Sequence, residues 1–419
     1  MRSDHRNRTG PSANRASASS RVRATVGGLG LLTGLVALTS PSMSALAQTP
    51  SWQYIPPLTG ETYFFPTDMS DSGIVVGGSG SIGNQPSVLR HIERYDPASG
   101  ATQPTLLTIF GSNQARISGD GQVVGGNWRG GAPLPSPGPA LEYSNGDLRL
   151  LPSVIIQGER RNSVIEHLSH DGTSAAMTYY PFQNGSTVQG NAVYRWSVHD
   201  DVAQLPPSPL LGTTYSFVNG MSDDGRYIVG QMAPDIFTPD SPFAWDTQQS
   251  TLAPFLDLQG QPMGTGRATA VSGDGSRIYG WYYAENSVVT PYMISNGITE
   301  QLTFSGPLGG LALWPIDASF TGDVLIGPFG SSGSWIWTEQ SGAMLANDYF
   351  RSFGLDFPAT ARIRDLMVSG DGRHFAGWME SGSAGFVVTI PAPGVSVSFI
   401  LAGTLASTRR RRRPDALRA

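Results

Sequence analysis

The chain has 419 residues with no cysteine and no lysine, and its 32 acidic residues outnumber 27 basic ones. Without cysteine there are no disulfides and no thiolate metal sites. Six of the basic residues precede residue 48 and six follow residue 390, whereas Asp4 and Asp415 are the acids found there. Residues 48–390 therefore carry a net charge of about −15, which argues against a nucleic-acid partner, since phosphate binding draws on a basic surface.

The N-terminus reads as a secretory leader. Arg2, Arg6, Arg8, Arg15, Arg21 and Arg23 precede an apolar run from Val26 to Leu38, which ends in the small-x-small sequence Ala45-Leu46-Ala47. That run is too short for a bilayer span, which takes about 20 residues. Cleavage after Ala47 by the general export machinery is expected, with an uncleaved membrane anchor as the alternative. Residues 1–47 are assigned to the signal peptide.

Residues 48–390 are organised by one repeat. A small or apolar residue, Ser, two residues and Gly recur seven times, at Ser70, Ser118, Ser169, Ser222, Ser272, Ser319 and Ser369. The corresponding glycines, Gly73, Gly121, Gly172, Gly225, Gly275, Gly322 and Gly372, are 48, 51, 53, 50, 47 and 50 residues apart. Asp precedes Gly in five copies, the chemistry of a tight hairpin turn. A β-branched strand follows, as in Tyr227-Ile228-Val229-Gly230. Next comes an aromatic strand (Tyr95, Tyr143, Trp196, Trp245 and Trp337) and then one marked by Leu. Alternation bounded by turn residues is the pattern of half-buried strands, and no stretch shows sustained helical periodicity. The expected fold is an all-β, seven-bladed β-propeller of four-stranded blades. The seventh unit lacks a fourth strand, and Trp52–Leu58 matches that strand type, so the N-terminal strand is expected to complete the last blade and close the ring. An open solenoid is the competing architecture.

After the repeats, Pro391-Ala392-Pro393-Gly394 precedes an apolar stretch from Val395 to Ala406 and the block Arg409, Arg410, Arg411, Arg412 and Arg413. An apolar segment closed by a cationic stop sits in a membrane with its charges on the cytoplasmic side. This arrangement resembles the PEP-CTERM exosortase sorting tails of surface proteins, with Ala392 in place of the usual Glu. Residues 391–419 are therefore read as a sorting and transmembrane tail, which implies an exosortase-like enzyme as partner and at least transient membrane attachment. The unit Ser-Gly-Asp-Gly-x-Val-Val-Gly resembles the HAF-type extracellular repeats of bacterial surface proteins. That resemblance implies a propeller-like surface protein and carries no catalytic motif.

The Ser-x-Asp-Gly turns are read as structural, because apolar strand and not alternating oxygen ligands follows them. His167 and His170 are three apart, a spacing that joins side chains on a helix but not on a strand. No metal, cofactor or catalytic residue is assigned. The connections from second to third strand vary most, and loops on a rigid scaffold are where binding resides. They supply the candidate ligand residues Trp128, Arg129, Tyr179, Tyr180, Trp281, Tyr282, Tyr283, Trp378 and Glu380, together with Phe237. The leading expectation is an exported, non-catalytic adhesion or interaction module that binds an extracellular glycan or a surface protein. The alternative is a secreted polysaccharide lyase or hydrolase using Glu93 or Glu380 with Arg129 at the propeller mouth.

Overall fold

The repeated turn forms because its residues satisfy one another. In the fourth copy, Ser222 Oγ donates to Asp224 Oδ1 at 2.6 Å and accepts the Tyr227 N–H at 2.9 Å. Asp224 Oδ1 also accepts the Arg226 N–H at 2.9 Å, and the Gly225 N–H closes on the Ser222 carbonyl at 2.8 Å. Gly225 sits at φ +67°, where a side chain would be strained. The Ser-to-Asp bond recurs at Ser118, Ser169, Ser272 and Ser369, at 2.6–2.8 Å. Ser72 replaces the Asp in the first copy, 3.0 Å from Ser70 Oγ.

The computed structural model describes residues 49–391 apart from 81–89, 110–114, 129–137, 153–154, 157–158, 161, 181–190, 201, 206–214, 235–239, 254, 285–287 and 381–383. The leader residues Ala45 and Ala47 and the tail residues Ala392, Pro393, Gly394 and Arg409–Arg413 lie outside the described residues, while Pro391 is the last one inside. In chain order, β1 (Ser51–Tyr54) precedes the first repeat, β2 (Tyr63–Met69), β3 (Val75–Gly80), β4 (Arg90–Asp96) and β5 (Ala101–Ile109). The second repeat holds β6 (Arg116–Ile117), β7 (Val123–Trp128), β8 (Gly138–Tyr143) and β9 (Leu148–Leu150). A short pair, β10 (Ile155–Ile156) and β11 (Glu159–Arg160), leads into the third, β12 (Asn162–Leu168), β13 (Ser174–Tyr180), β14 (Ala192–Ser197) and β15 (Ala203–Gln204). The fourth has β16 (Tyr215–Met221), β17 (Tyr227–Ala233), β18 (Ser241–Asp246) and β19 (Thr251–Ala253). The fifth has β20 (Gly266–Val271), β21 (Arg277–Tyr283), β22 (Val289–Ser295) and β23 (Ile298–Gln301). The sixth has β24 (Asp317–Ala318), β25 (Val324–Pro328), β26 (Ser334–Thr338) and β27 (Gly342–Leu345). After helix α1 (Ala346–Ser352) come β28 (Ile363–Val368), β29 (His374–Met379) and β30 (Ala384–Thr389).

These strands make an all-β propeller, but not one of seven separate four-stranded blades. Among the described residues, five four-stranded blades are present: β12–β15, β16–β19, β20–β23, β24–β27, and β28–β30 with β1. The first two repeats share one eight-stranded sheet instead. The link is at the end of β5, where Thr108, opposite His91 of β4 on one edge, also pairs with Asn127 of β7 on the other and its Oγ1 donates to the Asn127 carbonyl at 3.1 Å. β1 lies antiparallel on β30, Ser51 opposite Thr389 and Tyr54 opposite Phe386, so the N-terminal strand supplies the strand that the last repeat lacks. Helix α1 is a departure from the sequence reading; seven residues are too few to leave a helical period. Its Tyr349 and Phe350 pack with Phe375, and Phe350 also with Phe357, which meets Trp52 of β1 edge-on at 5.1 Å.

The apolar core is divided into slabs between neighbouring sheets. One joins Val123 and Leu141 to Ile165, Met177 and Trp196, and another joins Phe64, Val75 and Tyr95 of the first repeat to Ala376 and Val387 of the last. The first strands of five repeats share one recurrent irregularity. The ladders skip Thr67, Glu166, Asn219 and Thr269 in β2, β12, β16 and β20, and Asp365 and Leu366 in β28. Such bulges re-aim a side chain. They also push backbone toward the second strand: a Cβ on Gly230 would lie 1.9 Å from the Phe217 carbonyl oxygen, so only glycine fits.

Candidate functional site

Residues from the first strands, or the chain just before them, in all seven repeats line a cavity of about 600 Å³. Its walls are aromatic in three places, at Phe65, Trp281 and Trp314. Trp281 is buttressed: Tyr283 meets it edge-on at 5.3 Å, and the Arg267 guanidinium lies 5.7 Å from its ring centre. Arg267 is itself held by Asp240, Nη2 to Oδ2 at 2.7 Å. On the first repeat, Phe65 packs against Trp378 at 5.2 Å, with Tyr63 edge-on to the same indole at 6.4 Å.

The polar part of the lining is largely committed to joining repeats. Asp68 accepts the Met69 N–H with one oxygen and the Ile117 N–H of the next repeat with the other, both at 2.9 Å. Asp317 repeats this, accepting Ala318 N–H at 2.8 Å and Val368 N–H at 3.1 Å. Burial pushes the Asp317 carboxyl up to about 7, against the pull of those two N–H groups, and the neighbouring charge of Asp68 adds to the rise. Asp68 is raised for the same reason, with Arg116 opposing. Arg116 donates to the Thr67 carbonyl at 3.1 Å and has Glu166 at 3.9 Å. Burial and the Arg116 charge hold the His167 imidazole down at about 3, so it is neutral.

The sequence-derived candidates separate into two groups. Trp281 lines the cavity, Tyr283 is 45% exposed beside it, and Trp378 is half-buried next to Phe65. Glu380 is exposed and faces Arg364 at 3.5 Å and Arg362 at 3.8 Å. Tyr179 and Tyr282 are packing residues instead: Tyr179 is fully buried in the slab with Tyr194 and Trp196, and Tyr282 is buried against Tyr292. Trp128 packs beside Ile92 and Leu107. The reason is strand alternation, which turns every second residue at the strand end into the slab. Arg129 and Phe237 lie outside the described residues, as does the side chain of Tyr180. The carboxylates considered for hydrolysis are not brought together by a shared contact. Glu93 on β4 is 0% exposed, accepting the Leu58 N–H at 3.3 Å, and burial raises its pKa.

Sequence reasoning missed Phe65, Trp314, Arg116, Glu166 and Asp365. Their common signal is position: each stands two to five residues before the repeat's Ser, inside the first strand or just ahead of it. His167 and His170 line different cavities. The second cavity, about 750 Å³, lies at the turns and is bordered by Asp71, His170, Asp223, Asp274 and Phe320. Here His170 Nε2 is 3.1 Å from Asp71 Oδ2, and burial with the charge of Asp71 pushes Asp223 up to about 6.

No family model matches the chain, and no curated protein matches it. Among solved structures, the β-propeller domain of the trilobed protease from Pyrococcus furiosus is similar at 10% identity and a TM-score of 0.49, over 78% of this chain and 93% of that one. The Cps50 (Swd1) β-propeller domain of Myceliophteria thermophila is similar at 9% identity and a TM-score of 0.45, over 80% and 99%. TolB from Acinetobacter baumannii is similar at 13% identity and a TM-score of 0.35, over 72% of this chain, which spans only 59% of that one. Among the described residues, no helix is long and apolar enough to cross a membrane.

Proposed function

We propose that the chain is an exported, non-catalytic propeller that holds an extracellular glycan in the cavity between its first strands. The observation that carries this reading is the convergence of Phe65, Trp281 and Trp314 on one cavity. Flat aromatic faces in a concave, partly polar site suit the apolar faces of sugar rings, and the polar groups around them suit hydroxyls. Export rests on the leader at residues 1–47, and surface attachment on the tail at 391–419 with its Arg409–Arg413 stop. Within this proposal the tail is handled by an exosortase-like enzyme, and the repeats are of the HAF type.

Closure of the ring through β1 belongs to the same proposal. Its support is a run of hydrogen bonds through the turns: Asp71 N–H to Gly119, Asp120 to His170, His170 to Asp223, Asp223 to Gly273, Asp274 to Phe320 and Phe320 to Gly370. Gly370 then donates to Asp71 Oδ1 at 2.7 Å. A rigid rim of this kind pre-organises the far wall of the cavity and reduces the entropy lost on binding.

A glycan array probed with the purified protein and with Trp281→Ala tests the reading. Binding to a restricted set of glycans, weakened about tenfold or more by the substitution, is expected. Absence of any glycan binding, or binding indifferent to Trp281, would sink it.

A further inference from the structure

One arrangement beside the cavity is built twice. Trp281 directly follows Gly280 in β21, and Trp378 directly follows Gly377 in β29. Each stands opposite an arginine of its first strand, Trp281 opposite Arg267 and Trp378 opposite Arg364. Each arginine is held by an acid, Arg267 by Asp240 at 2.7 Å and Arg364 by Glu380 at 3.5 Å, and the two arginine side chains are 44% and 43% exposed. Each indole is half-buried with another ring against it, Tyr283 for Trp281 at 5.3 Å and Phe65 for Trp378 at 5.2 Å. The other five repeats have Gly78, Gly126, Met177, Gln231 and Pro328 at this place. A demand of the scaffold would fall on all repeats alike, so the fold does not account for the two tryptophans.

The two copies belong to the fifth and seventh repeats, and the sixth, between them in sequence, contributes Trp314 to the cavity. The seventh repeat packs on the first through Ala376, Val387, Phe64 and Val75, which sets Phe65 of the lining beside Trp378. Aromatic rings thus come from four successive repeats. Among the described residues, the second, third and fourth repeats give the lining no Phe, Tyr or Trp. Polar groups there are engaged by protein: Arg116 by the Thr67 carbonyl and Glu166, and Asn219 by the Ala268 carbonyl at 2.8 Å. One part of the lining is a row of ring platforms, and the rest joins repeats. A single sugar covers one platform and leaves the others bare. A chain of like sugars meets like platforms in turn, and each further contact is intramolecular once the first has formed.

Building on the glycan reading above, we infer that the ligand is a linear homo-oligosaccharide of hexose rings, laid along the row from Trp281 past Trp314 to Phe65 and Trp378. The test is calorimetric titration of the full chain with glucose, galactose and N-acetylglucosamine homo-oligomers, each from the monomer to the hexamer. At least one series is expected to bind, with affinity rising about tenfold or more from monomer to tetramer. Trp378→Ala should weaken the tetramer about tenfold and the dimer by less than about twofold, because the dimer still has Trp281 and Trp314. Trp378→Phe keeps a ring against Phe65 and should give a smaller loss of the same kind, whatever the Ala variant does to folding. Affinity that does not grow with chain length, or a tetramer indifferent to Trp378, overturns the chain inference and leaves the glycan reading standing. A positive glycan array on which none of these homo-oligomers binds does the same. Failure of every oligomer alongside a blank array overturns both.

Discussion

The two ends of the first strands use the same repeat in opposite ways. At the turn end, Ser, Asp and Gly bond to one another within each copy, and the copies bond to their neighbours through backbone groups. At the other end the cavity is lined by Phe65, Arg116, Glu166, Arg267, Trp314 and Asp365, which range from aromatic to basic to acidic and stand two to five residues before the Ser of their repeats. The turn keeps its Ser and Gly in all seven copies, with Ser72 and Thr321 in place of Asp in two, whereas side chains facing a cavity are released from that demand. The scaffold is thus written in what recurs, and specificity in what does not.

Changes to the recurrent, close-packed positions should cost most. Gly230→Ala puts a Cβ 1.9 Å from the Phe217 carbonyl oxygen, and the bulge cannot move without breaking its ladder. A loss of about 3 kcal/mol in urea unfolding is expected. Gly264→Ala, where nothing lies within 4 Å, should change stability by less than about 0.5 kcal/mol. Equal costs at the two sites would break the distinction between close-packed and open positions.

The next effect is pH dependence of the cavity wall. Asp317 keeps its proton in the folded chain up to about 7, well above the ordinary carboxylate value of 3.8. A raised acid binds more protons folded than unfolded, so its contribution is present at low pH and is lost as the pH rises through about 7. The urea midpoint should fall over that interval, and Asp317→Asn should flatten the fall. A wild-type profile unchanged by the substitution would show that the two backbone N–H donors, and not burial, govern this group.

A smaller difference separates residues within one structural position. Asn219→Ala removes the 2.8 Å bond to the Ala268 carbonyl and should cost about 1 kcal/mol, while Glu166→Gln, at the same bulge one repeat earlier, should cost clearly less. Chemical denaturation of both variants measures this directly. A larger loss at Glu166 would mean that its ion pair with Arg116 is structural.

How much of this was legible in the sequence follows from the same contrast. The turns could be read because their chemistry is local: Ser222, Asp224 and Gly225 find their partners within five residues. The completing strand could be read because Trp52–Leu58 resembled the missing fourth strand, and β1 does pair with β30. The joining of the first two repeats could not, since it hangs on one pair at the end of β5, Thr108 with Asn127. Helix α1 left no period to detect. Aromatics at the ends of second strands were visible, but which of them face the slab depends on strand register. Tyr282 and Tyr283 are adjacent in sequence and opposite in exposure. Phe65, Trp314 and Asp365 lay in strands or approaches to strands that read as ordinary scaffold, and the bulges near Phe65 and at Asp365 are not announced by the sequence.

Hydroxyl-radical footprinting of the chain, with and without a bound glycan from the array, tests the central claim most directly. The account predicts that Trp281, Trp314 and Phe65 become protected while Phe320, 45% exposed at the turn end, reacts as before. Protection of Phe320 with no change at Trp281 and Trp314 would place the ligand in the cavity at the turns and contradict it.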